Sequence, residues 1–129
     1  MSREYRKREE ENELIKRYED HVRRKKEAFF DLDAYEQIVD HYMFKEKYNK
    51  ALQAVNQGIS QYPYSTELMT IKAQVLSNLE AYDEALQLLD QAHAMQPNDA
   101  EIFLTKGSIL AIRGQHKLAI ENYEQALDL

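Results

Sequence analysis

The chain has 129 residues, 43% of them hydrophobic and 31% charged, with a formal net charge of −6 and no cysteine. This is enough for one domain-sized core, and the missing thiols exclude a disulfide framework or a thiolate zinc site. No apolar run approaches the roughly 18 to 20 residues of a membrane span and no signal-peptide core follows the charged N-terminus, while three Gly and two Pro leave little material for hairpins; the expectation is an all-α, cytoplasmic protein with no membrane partner.

Residues 1–30 read as a charged N-terminal helix. Glu4/Arg8, Glu13/Arg17, Glu19/Arg23 and Asp20/Arg24 are favourable i,i+4 pairs, and no breaker interrupts the stretch. Ile15, Val22 and Phe29 recur every seven residues, with Leu14 and Tyr18 beside them. This narrow stripe suits docking on the next helices or self-association as a short coiled coil. Residues 1–29 hold 10 Lys and Arg against 8 Asp and Glu, leaving 7 against 15 for the remainder. An acidic body repels phosphate backbones, so no nucleic-acid partner is expected. The basic run Arg23–Lys26 is offset by Glu19, Asp20 and Glu27 and reads as a solvated face.

From residue 31 onward the chain repeats itself every 34 residues, in units 31–64, 65–98 and 99–129. Residues 46–52, "EKYNKAL", return as "EAYDEAL" at 80–86, and Pro63 returns as Pro97. Asp31, Ser65 and Asp99 are placed to cap first helices over 32–45, 66–79 and 100–113. Second helices are expected over 49–61, 83–96 and 117–129, with Asn49 and Asp83 as caps and Lys117 as a poor one. A proline removes an amide donor and restricts the residue before it, which ends the first two of these. Ala51, Ala85 and Ala119, with Gly58, Ala92 and Ala126 seven residues on, form a small-residue face that lets paired helices approach. Val55, Leu89 and Tyr123 fill the groove between them, opposite Val39, Ala73 and Gly107. Gly58 offsets the larger Val39, so Gly58→Ala is expected to destabilise.

This spacing, the small residues, Tyr42, Tyr48, Tyr82 and the two prolines resemble the tetratricopeptide repeat family, over residues 31–129. The resemblance implies a right-handed α-solenoid of antiparallel helix pairs, three units long. It also implies a scaffold that binds a peptide or partner domain in a groove lined by the first helices. Members that act as chaperone adaptors hold an acidic tail with basic first-helix residues. The matching positions here are Glu36, Asp40, Ile71, Glu101 and Thr105, none basic, which excludes that ligand. The candidate groove is Glu36, Asp40, Met43, Phe44, Thr70, Gln74, Asn78, Leu104, Ser108 and Ile112, acidic at one end and apolar at the other. Such a lining suits a basic or amphipathic segment of a protein.

No residue set supplies a nucleophile, an acid–base pair or a phosphate loop, and His21, His41, His93 and His116 lack metal-ligand spacing. A non-enzyme without cofactor is expected. Two other readings stay open: a regulatory or assembly segment of a larger enzyme or sensor, and a structural homo-oligomer. The second would associate through the N-terminal helix or through an uncapped C-terminal helix around Ile120, Tyr123 and Leu127.

Overall fold

A computed structural model describes residues 2–26 and 29–129; Met1, Glu27 and Ala28 of the expected N-terminal helix lie outside the described residues. The described residues form seven α-helices and no strand: α1 (Arg3–Arg23), α2 (Leu32–Phe44), α3 (Tyr48–Gln61), α4 (Thr66–Asn78), α5 (Tyr82–Met95), α6 (Ala100–Ile112) and α7 (His116–Leu127). Two compact units contain them, Met1–Gln61 and Tyr62–Leu129.

First helices begin where a side chain can satisfy an orphan amide. Asp31 accepts from the Ala34 amide at 2.8 Å, Ser65 from Leu68 at 3.2 Å and Asp99 from Glu101 at 3.0 Å. Each such cap contributes about 1 kcal/mol.

These helices end in one recurring device. Glu46, Glu80 and Gly114 take left-handed backbone, with φ of 57°, 63° and 80°. The next amides, of Lys47, Ala81 and Gln115, donate back to the carbonyls of Tyr42, Leu76 and Leu110 at 2.8, 2.8 and 2.9 Å. That is the Schellman arrangement, which satisfies the last carbonyls of a helix while reversing the chain.

The turn also corrects the expected caps of the second helices. Its exit places the carbonyls of Lys47, Ala81 and Gln115 to accept from Ala51, Ala85 and Ala119, each at 3.0 Å. Asn49 and Asp83 therefore lie inside the first turns of α3 and α5, and neither α5 nor α7 has a side-chain cap. Ahead of the prolines, α3 stops at Gln61 and α5 at Met95.

In the first unit α2 folds back on α3 around Ile38, Val39, Ala51, Ala54 and Val55, all fully buried. Gly58 is buried with them. Docked on α2, α1 inserts Ile15 and Tyr18. The Tyr18 ring lies 6.2 Å from both Phe30 and Tyr42, and Phe30 meets Tyr35 edge-on at 5.7 Å. Aromatic pairs in such tilted geometry add about 0.5–1.5 kcal/mol beyond area burial.

The helix is shorter than the expected 1–30. At its end Lys25 turns left-handed with φ of 54°, and Lys26 donates to the His21 carbonyl at 3.1 Å, so the seven-residue period stops before Phe29. Phe29 is 76% exposed, and Phe30, which the pattern passed over, is 5% exposed. Of the expected ion pairs Asp20–Arg24 forms at 3.3 Å, with Arg23 also reaching Asp20 at 3.4 Å.

In the second unit α4 pairs with α5 and α6 with α7, and α6 also packs on α5. The first-helix residue facing the partner shrinks as the second-helix residue grows, from Val39/Val55 through Ala73/Leu89 to Gly107/Tyr123. The last pair shows why. A Cβ on Gly107 would stand 2.7 Å from the Tyr123 ring, closer than carbon atoms tolerate. Between α5 and α6, Phe103 meets His93 edge-on at 5.0 Å, Lys106 pairs with Asp90 at 2.8 Å, and Arg113 with Asp83 at 2.5 Å.

Candidate functional site

The candidate groove residues fall on α2 in one unit and on α4 and α6 in the other. On α2 the steps from Glu36 to Asp40, Met43 and Phe44 place these side chains along one side of the helix. Phe44 is 89% exposed and Asp40 is exposed, while Glu36 and Met43 are half-buried.

Docking of α1 changes the chemistry of this face. Glu11 comes within 3.2 Å of the His41 Nδ1 and stands close enough to Asp40 to act on its charge. Although Asp40 is exposed, partial desolvation of its carboxyl, with the Glu11 charge adding to it, holds the group above its usual range. Two carboxylates from different helices thus share one region beside an exposed aromatic ring. Sequence reasoning missed Glu11 and His41, because their meeting depends on how α1 docks. Deeper in the unit, burial pushes the Tyr18 hydroxyl up to about 12, with Tyr35 and Glu19 adding to the shift. Tyr42 is raised by the same kind of burial and by Glu19. Both phenols therefore stay neutral at ordinary pH.

On α4 one expected residue is withdrawn. Thr70 is 4% exposed, and its hydroxyl donates to the Thr66 carbonyl at 2.8 Å, so it presents nothing to a ligand. Gln74 is half-buried and donates to the buried Thr105 hydroxyl at 3.4 Å. Asn78 is exposed, with its amide donating to the Gln74 carbonyl at 2.9 Å.

On α6, Leu104, Ser108 and Ile112 recur every four residues. Leu104 is 41% and Ile112 63% exposed. Between them Ser108 donates to the Leu104 carbonyl at 3.0 Å and accepts from the Tyr123 hydroxyl at 3.2 Å. This face therefore offers two apolar side chains around a hydroxyl already engaged, and its lining carries no charge.

Among the described residues no cluster of three or more His, Asp or Glu is arranged to hold a metal ion. None of their helices is long and apolar enough to cross a membrane.

Comparison with known proteins agrees with this architecture. A tetratricopeptide repeat model matches residues 43–109, and a second matches residues 100–129. Among solved structures, MamA superposes with a TM-score of 0.63 at 14% identity, over 74% of this chain and 56% of that one. MamA of MSR-1 gives 0.62 at 18% identity, over 76% of this chain and 56% of that one. The TPR2B domain of yeast Sti1, in a complex with pHsp70, gives 0.65 at 19% identity, over 73% of this chain and 75% of that one. The chain thus spans just over half the length of the MamA structures it matches. No curated protein matches it.

Proposed function

Since the chain belongs to the tetratricopeptide repeat family, with a family model covering residues 43–109, we propose that it is a protein-interaction scaffold and not a catalyst. Its first helices hold a basic or amphipathic segment of a partner protein. Glu36 and Asp40 receive the cationic residues, Phe44 and Met43 an apolar one, and Leu104 and Ile112 give α6 its own apolar contacts.

The observation that carries this reading is the gathering of Glu11 and Asp40 beside Phe44. Desolvation first, and the neighbouring Glu11 carboxylate second, raise the Asp40 pKa, and a cation delivered by a partner relieves the repulsion between the two acids. The exposed ring beside it supplies the desolvated anchor from which most affinity comes. Sti1 TPR2B is in a complex with pHsp70. The absence of basic residues at Glu36, Asp40, Ile71, Glu101 and Thr105 selects a ligand of the opposite charge here.

The test is titration of the full chain with a labelled Lys/Leu amphipathic peptide and with its Glu/Leu counterpart. The lysine peptide binds and the glutamate peptide does not, and Asp40→Lys/Phe44→Ala abolishes the difference. Equal binding of both peptides contradicts the reading.

A further inference from the structure

The basic run Arg23–Lys26 divides in two. Arg23 and Arg24 both reach Asp20, at 3.4 and 3.3 Å. Lys25 and Lys26 form no ion pair among the described residues. Successive residues of a continuing helix point about 100° apart, but Lys25 turns left-handed, with φ of 54°, just past the end of α1. At that turn both lysines border one cleft, between the end of α1 and α3.

The cleft lies wholly within the first unit and has a volume of about 530 Å³, the size of a small-ligand site. Among the described residues α1 packs on α2 and not on α3, so the space between α1 and α3 stays open. The fully buried Tyr35 of α2 forms part of its wall.

α3 lines the cleft with neutral polar groups. Gln53 and Ser60 are exposed there, and Gln57 and Gln61 are half-buried. The Gln61 carbonyl oxygen accepts from the Tyr35 hydroxyl, which leaves Gln61 its NH2 group, a donor. Val22 and the 76% exposed Phe29 supply an apolar side. No Asp or Glu belongs to the described lining, in a chain whose net charge is −6.

Two ammonium groups, amide donors and a lining without acids suit a compact dianion. A carboxylate brings one negative charge, whereas a phosphate monoester brings about −1.5 to −2 and three acceptor oxygens. The ring and the valine suit an apolar body behind it. We infer that this cleft binds a phosphate monoester carried on an apolar body. Lys25 and Lys26 hold the phosphate, Gln57 and Gln61 donate to it, and Phe29 covers the body. The site is separate from the α2 face, and each can fail without the other.

The probe is phenyl phosphate, titrated into the full chain and followed by amide chemical shifts. It gives saturable shifts at Lys25, Lys26 and residues 53–61, and binds more tightly than inorganic phosphate or benzoate. Lys25→Gln/Lys26→Gln weakens it roughly 5-fold or more, the scale of two partly exposed charge pairs. Arg23→Gln/Arg24→Gln removes the same charge outside the cleft and changes binding by less than roughly 2-fold. Phe29→Ala erases the advantage over inorganic phosphate. Lys25→Gly separates binding from folding: left-handed backbone favours Gly, so the melting temperature rises while the affinity falls. A phosphotyrosine peptide with neutral flanks identifies the source. Tighter binding than phenyl phosphate assigns the ester to a partner protein and no tighter binding assigns it to a small molecule, and both uphold the site. Absence of saturable binding to the wild-type chain, in which Glu27 follows the two lysines, overturns the proposal. So does benzoate binding as tightly as phenyl phosphate, or an equal loss in the arginine and lysine double variants.

Discussion

The first unit closes its core with aromatic rings, Tyr18, Phe30, Tyr35 and Tyr42, whereas the second relies on aliphatic side chains and one glycine fitted against a ring, Gly107 on Tyr123. The rings span an irregular gap between α1 and the first helix pair, and they do so imperfectly. The Tyr18 hydroxyl and the His21 Nδ1 are buried without a hydrogen-bond partner, an omission that costs about 1–3 kcal/mol for each such group. The second unit repeats one fitted contact and tolerates little change in volume. Large rings make a docking contact; small residues at a fixed interval make a repeat.

Loss of an aromatic from the first unit breaks this contrast most severely. Phe30→Ala is expected to cost about 3–5 kcal/mol, whereas Phe29→Ala next to it costs less than about 0.5 kcal/mol. Denaturant melts of the two variants measure the difference. Equal losses would show that Phe29 shares the core.

The glycine–ring contact gives the next largest effect. Gly107→Ala overpacks the Tyr123 ring at a cost of about 1–3 kcal/mol, against which a better helix former returns at most about 1 kcal/mol. The net change is destabilising. In a Tyr123→Leu background the overpacking disappears, and the same substitution becomes stabilising. A double-mutant cycle by thermal denaturation reads that change of sign.

How much of this was legible in the sequence depended on whether the cause was local. Asp31, Ser65 and Asp99 announce caps because the amide each satisfies lies two or three residues away. The prolines announce ends for a similar reason, and the 34-residue period makes any local signal recur. The left-handed turn residues also recur, but two are glutamates and only Gly114 looks like a turn. Thr70 has the helical phase of a groove residue, yet packing covers it and its hydroxyl turns back to Thr66. The choice of Phe30 over Phe29, and the meeting of Glu11 with His41 and Asp40, require knowing where α1 stops and how it docks. No local pattern encodes that.

The turns allow a gentler probe. Glu80 holds a left-handed backbone that costs an L residue about 1–2 kcal/mol, so Glu80→Gly is expected to stabilise the protein by roughly 1 kcal/mol. Gly114→Ala acts in the opposite sense by a similar amount. Its Cβ would meet no atom within 4 Å, so the loss is conformational alone. Paired melting curves test both signs.

The smallest expected effect is electrostatic. Asp40 has a pKa raised by burial and by Glu11, so the folded state binds its proton more readily than the unfolded state. Its contribution favours folding at pH below the ordinary carboxylate range and is lost as pH rises through the raised pKa. Glu11→Gln should lower the Asp40 pKa and flatten that part of the stability–pH curve. NMR titration of the Asp40 carboxyl measures the shift.

The scaffold reading is tested most directly by amide chemical-shift mapping on the full chain during titration with the Lys/Leu amphipathic peptide. The expected result is a saturable set of shifts centred on residues 36–44, abolished by Asp40→Lys/Phe44→Ala. Shifts that avoid α2, or that persist unchanged in the double variant, would contradict it.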